Sequence, residues 1–91
     1  MVKHLDIIIK GKVQGVYFRA SAKAVADQLG VCGTAKNKAD GTVAIEAEGE
    51  EDIMDMFLEF CHEGSDYAQV DEVIVTEGEV KNYRNFAVLK R

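Results

Sequence analysis

Between Leu5 and Leu29 the apolar residues change their period, and that change constrains most of what the chain can fold into. Leu5, Ile7 and Ile9 alternate with Asp6, Ile8 and Lys10, the two-residue period of a strand over about 3–10. Ala22, Val25, Ala26 and Leu29 then recur at i, i+3, i+4 and i+7, the stripe of an amphipathic helix over about 20–29 that Gly30 stops. Because Ile8 makes the second face of the strand partly apolar, the strand is expected inside a sheet rather than at its edge.

The alternation continues without a linker, internal repeat or low-complexity tract. Val31 to Asn37 and Thr42 to Glu48 flank the Asp40-Gly41 turn and predict a hairpin. Glu50, Glu51 and Asp52 suit the positive end of a helix dipole, and Ile53, Met56, Phe57, Phe60 and Cys61 follow at helical spacing up to Gly64. Val70 to Thr76 and Asn85 to Lys90 are rich in residues that favour strands. The order β-α-β-β-α-β, with a short extra strand last, predicts a ferredoxin-like α+β sandwich: an antiparallel sheet with two helices on one face. A chain of 91 residues can bury one core, not two, so residues 1–91 are read as a single domain.

The net charge of -5 disfavours a partner held mainly through a phosphate backbone, so nucleic acid is not expected. The charge is nevertheless uneven. Residues 1–38 carry seven bases and only Asp6 and Asp27, whereas the remaining residues carry four bases against fourteen acids. An acidic body with a small basic site suits a small anion. No apolar run approaches the roughly 18 residues of a spanning helix, and Met1 to Asp6 lacks the apolar region of a signal peptide, so a cytoplasmic protein without membrane contact is expected. Cys32 and Cys61 have no CxxC partner and no nearby histidine pair, and they read as two reduced thiols on opposite sides of the sheet.

Chemistry concentrates between the first strand and the first helix, in Gly11-Lys12-Val13-Gln14-Gly15-Val16-Tyr17-Phe18-Arg19. Its glycines let backbone amides turn toward one point, and the segment opens onto a helix N-terminus. Those amides, the dipole and the forked guanidinium of Arg19 together suit a tetrahedral phosphate. The same spacing also fits a plain turn with Arg19 solvated in the first helical turn, and Asn37 by itself is an ordinary residue beside a hairpin. Geometry joins the two: a right-handed β-α-β crossover makes the first two strands parallel, so the loop and Asn37 share one sheet edge. Asn37 has the parity of Val31, Gly33 and Ala35, facing the helices, where its amide could position a water.

At these residues the chain closely resembles the acylphosphatase family. Its first signature is matched by Ile9-x-Gly11-x-Val13-Gln14-Gly15-Val16-x-Phe18-Arg19, and its second by Gly33-Thr34-Ala35-Lys36-Asn37-x-x-x-Gly41-Thr42-Val43 followed by Gly49. The second departs at Thr34, where the family usually has an aromatic. Gly64 to Val73 resembles the run before the family's fourth strand, with Ser65 where proline is common, and Tyr83 to Val88 resembles its ending. The resemblance implies a hydrolase that cleaves the carboxyl-phosphate bond of acyl phosphates. It implies Arg19 as phosphate ligand, Asn37 as the residue orienting the attacking water, and the amides of Gln14, Gly15, Val16, Tyr17, Phe18 and Arg19 as the phosphate-binding loop. Neither a metal nor another cofactor is implied, and a monomer acting on a small-molecule acyl phosphate is expected.

Two other classes compete with this reading. A non-catalytic phosphate-binding or regulatory module would keep the same cradle. An RNA-recognition domain shares the element order, but the inner strands offer Ile8, Ala44 and Glu46 rather than aromatics on the face away from the helices. His4 and His62 are expected in surface or capping roles, and the acids from Glu46 to Asp55 as a solvated group rather than a metal site.

Overall fold

The computed structural model describes residues 1–90 and contains seven elements in the expected order. They are β1 (Val2–Lys12), α1 (Phe18–Leu29), β2 (Cys32–Asn37), β3 (Val43–Glu50), α2 (Glu51–Glu63), β4 (Gln69–Gly78) and β5 (Phe86–Leu89). The five strands form one sheet in the order β4-β1-β3-β2-β5. β1 is an inner strand, as its two partly apolar faces require, and it runs parallel to β2 because both pair antiparallel with β3 between them.

The sheet is mixed rather than wholly antiparallel, since β5 lies parallel to β2, with Gly33 opposite Phe86 and Lys36 opposite Leu89. The reason is the path of the chain. β4 occupies one edge and β5 the other, so the connection crosses the whole sheet and returns in the direction of β2.

Both helices cover the face presented by Leu5, Ile7, Ile9, Ala35, Ile45 and Ala47, all buried. α1 contributes Ala22 and Ala26, with Val25 and Leu29 packed partly beside them, which is the expected stripe. α2 differs at two positions: it buries Met54, which lies outside the expected stripe, together with Phe57 and Cys61, whereas Met56 is half-exposed. Residues 54, 57 and 61 lie on one side of a helix starting at Glu51, and position 56 is turned well away from them. Phe57 bridges the layers, with its ring centroid 6.3 Å from Phe60 and 6.0 Å from Phe86 of β5.

The opposite face holds an arrangement that residue type alone did not predict. His4 and Glu48 point away from the helices, yet they are only 1% and 4% exposed, so neither is the surface group expected of it. The crossing connection lies over them. Glu48 accepts hydrogen bonds from the backbone N–H of Tyr83 at 3.0 Å and of Lys81, and from His4 Nδ1 at 2.7 Å. The His4 ring stacks on Tyr83 at 6.5 Å, and its Nε2 reaches Asp6 at 3.1 Å. Lys81 Nζ pairs with Glu46 at 2.7 Å. Two carboxylates that read as solvated, Glu46 and Glu48, therefore clasp the connection onto the sheet.

Burial opposes the charge on His4, but the hydrogen bonds that its ring donates to Glu48 and Asp6 outweigh it and raise its pKa above the ordinary 6.5. Burial likewise opposes ionisation of Glu48, and the N–H groups of Lys81 and Tyr83 with His4 outweigh it and hold its pKa below 4.5. A raised His4 pKa contributes stability that is complete below about pH 6.5 and is lost as pH rises through the folded-state titration. A lowered Glu48 pKa contributes stability that is lost as pH falls through its own titration. Urea midpoints should therefore decline as pH rises above neutrality in the wild type, and this part of the decline should vanish in His4→Gln. Glu48→Ala strands two backbone donors and a histidine, and should cost about 3 kcal/mol or more in the same measurement.

Candidate active site

β1 bulges at Gly11, just before the loop. The register against β4 shifts between Lys10 and Gly11, and a Cβ on Gly11 would lie 2.2 Å from the carbonyl oxygen of Gln69. Only glycine lets the two strands approach there. The loop then turns through Gly15 (φ 73°) and Tyr17 (φ 62°, ψ 21°), both in the left-handed region. For tyrosine that conformation is uncommon and costs about 1 kcal/mol or more.

Core packing and three side-chain hydrogen bonds hold this bend. Val13, Val16 and Phe18 are buried, with the Phe18 ring 5.5 Å from Phe60 of α2. Ser65 Oγ donates to the Val16 carbonyl at 2.7 Å, which fixes that peptide plane and turns the following Tyr17 N–H the opposite way. Gln14 Nε2 donates to the carbonyls of Lys38 and Thr42. With the side chains of Val16 and Phe18 in the core and Tyr17 turned outward to solvent, the segment offers an anion its main chain.

The first turn of α1 has neither a side-chain cap nor an acidic residue. Among the described residues, no backbone bond outside the helices and strands is donated by an amide from Gln14 to Arg19. α2 is the contrast, because Glu51 and Asp52 lie in its own first turn. One helix meets its positive end with its own carboxylates, and the other has none there.

Arg19, Gly15, Tyr17, Phe18 and Asn37 line a common cavity of about 300 Å³. Arg19 Nη1 donates to the Leu89 carbonyl of β5 at 2.6 Å, so one arm of the fork is held and the other nitrogens remain available to the cavity. Asn37 closes β2 on the helix-facing side, as its parity requires. Its Oδ1 is buried and is the one such side-chain atom without a hydrogen-bond partner among the described residues. A second cavity of about 670 Å³ adjoins across Asn37 and carries Lys36, Lys38 and Lys90. No carboxylate, imidazole or thiol lines either cavity among the described residues.

The structure thus brings Arg19, Asn37 and the 14–19 loop together at one sheet edge. Sequence reasoning missed the Leu89 carbonyl and the Ser65 hydroxyl, since neither residue type carries a signal and both meet the loop only through tertiary packing. It treated Gln14 as a backbone donor and not as a side-chain tie, although a glutamine between Val13 and Gly15 in a tight loop is a signal worth pursuing. His62 lies exposed in the last turn of α2. His4, Asp6 and Glu46 offer ligand atoms within 4.8 Å of one another, but the hydrogen bond within that group and the Lys81 ammonium on Glu46 already account for them.

An uncapped helix end, a glycine-turned loop, a fixed guanidinium and an amide at the end of a parallel strand meet at one edge of a ferredoxin-like α+β protein. Comparison with known proteins gives the particular lineage. The acylphosphatase family model matches residues 5–88. An acylphosphatase of a Nocardioides species is 42% identical over 92% of this chain and 85% of its own, and one of Marinobacter nauticus is 48% identical over 84% and 83%. The crystal structure of acylphosphatase from Bacillus subtilis superposes with a TM-score of 0.93, at 36% identity, over 98% of this chain and 99% of that one. The chain belongs to the acylphosphatase family.

Neither cysteine enters the site. Cys32 lies on the open face of the sheet and is partly buried, while Cys61 is buried on α2, where desolvation pushes its thiol up to about 12. A thiol reagent should count two free thiols in denaturant without reductant and leave Cys61 unlabelled in the folded protein.

Proposed function

We propose that this chain hydrolyses the carboxyl-phosphate bond of acyl phosphates, with the phosphate held by the amides of residues 14–19 and by Arg19, and with the attacking water oriented by Asn37. The observation that carries the reading is the buried, unpartnered Oδ1 of Asn37 beside the Arg19 cavity. An acceptor left unmade costs about 1–3 kcal/mol, and a water bridging it to the bound phosphate satisfies it during turnover.

The chemistry asks for little more. Water oxygen attacks phosphorus, the bond from phosphorus to the acyl oxygen breaks, and its electron pair leaves as a carboxylate. That leaving group has a conjugate acid near pKa 4, so departure needs no general acid. The loose transition state places charge on the equatorial oxygens, which the amides and the Arg19 fork are arranged to meet. Asn37 cannot act as a base at neutral pH, and the water's proton passes to a phosphate oxygen of the substrate.

A lining that among the described residues offers cations and amides and neither carboxylate nor imidazole suits the anion itself and supports metal-independent turnover. All site residues come from one chain, so a monomer suffices. Two free cysteines suit a reducing compartment, the cytoplasm. The alternative, a module that binds phosphate without turnover, makes the opposite forecast in one assay: release of phosphate from a simple acyl phosphate in the presence of a chelator. Hydrolysis supports the enzyme, and binding without hydrolysis supports the module.

Two substitutions separate the roles. Arg19→Lys keeps the charge but loses the rigid fork, and should lower kcat/KM by about a hundredfold or more while the protein stays folded. Asn37→Ala should lower kcat by a factor on the order of a hundred while KM and inorganic phosphate affinity change little, because alignment of water is realised mainly in the transition state. A collapse of phosphate affinity with unchanged kcat would instead make Asn37 a phosphate ligand.

A further inference from the structure

We infer that the side chain of Gln14 is a positioning residue for hydrolysis, setting where Asn37 stands relative to the phosphate cradle. The inference rests on the reading that Asn37 orients the attacking water. Gln14 belongs to the cradle by its place in the chain, but its amide group points across to the β2–β3 turn. There Nε2 donates to the Lys38 carbonyl at 2.7 Å and to the Thr42 carbonyl at 2.8 Å.

Both hydrogens of the amide are thereby committed, and the remaining polar atom, Oε1, is an acceptor that an anion would repel. Gln14 is therefore no phosphate ligand through its side chain. What it grips is a stiff unit. Lys38 N–H donates to the Thr42 carbonyl at 2.9 Å, and Gly41 N–H to the Lys38 carbonyl at 3.1 Å. The Asp40 carboxylate accepts from Thr42 N–H at 3.0 Å and from Thr42 Oγ1 at 2.6 Å, bonds that lower its pKa.

Asn37 directly precedes this turn, so a shift of the turn moves Asn37. Gln14 directly precedes Gly15, where the loop bends. The two bonds tie segments 24 and 28 residues apart in sequence and span the gap between the half of the site that holds phosphate and the half that holds water. A reacting group displaced by about 1 Å can lose on the order of a hundredfold in rate, so a tie of this kind acts on kcat rather than on binding.

The test is a double-mutant cycle on Gln14→Met and Asn37→Ala, read as kcat and KM for a simple acyl phosphate, inorganic phosphate affinity and thermal midpoint. Gln14→Met keeps the length and removes both donors. It is expected to lower kcat about tenfold with phosphate affinity changed less than about threefold, and to lower kcat little further once Asn37 is already alanine. Gln14→Glu, of the same shape but with an oxygen facing the two carbonyls, is expected to reproduce the loss and serves if the methionine variant does not fold. An unchanged kcat in a folded Gln14 variant overturns the inference, as does equal loss of phosphate affinity or a kcat loss that multiplies in full with that of Asn37→Ala. If Asn37→Ala alone leaves kcat intact, the water-orienting reading itself fails, and the inference with it.

Discussion

The carboxylate of Glu48 is the interaction on which the site's geometry depends, although it lies on the far face of the sheet. By accepting from two backbone amides of the crossing connection and from His4, it holds that connection flat against β1 and β3. The connection so held delivers β5 to the outer side of β2 in parallel register. β5 in turn presents the Leu89 carbonyl to Arg19. A buried ion pair gains little net stability by itself because its desolvation is costly, but here the carboxylate also satisfies two main-chain donors of the connection. Its effect is to decide where a strand goes.

Much of the fold was legible in the residues. Apolar periods marked the seven elements, and the bend between strand and helix marked the loop, because both are local and repeat over several residues. The meeting of Arg19 and Asn37 followed from handedness alone, which makes β1 and β2 parallel and brings their ends to one edge. Met56 was assigned to the buried face because residues 53, 56, 57 and 60 are also a helical pattern; the phase of α2 against the sheet, set by packing, selected 54, 57 and 61 instead.

The polar half was not legible. Histidine and glutamate on a strand face away from the helices read as solvated, and so they are unless another segment crosses over them. Whether residues 79–85 cross that face depends on which edge each flanking strand occupies, a long-range fact with no period in the sequence. The same holds for Gln14, whose carbonyl partners lie beyond α1 and β2. Side-chain ties between distant segments leave no local trace, and here they join the 14–19 loop to the β2–β3 turn.

The bond from Arg19 to Leu89 also has a meaning in time. The two residues are 70 positions apart, and β5 is the last of the seven elements to leave the ribosome. Until it emerges and pairs with β2, the guanidinium has no carbonyl to fix it and one edge of the sheet stays bare. A nascent chain short of Leu89 thus lacks the contact that orients its arginine. Such late, non-local closure makes folding slow relative to helical proteins of this size, and it delays the fixing of Arg19 until synthesis has passed its final strand.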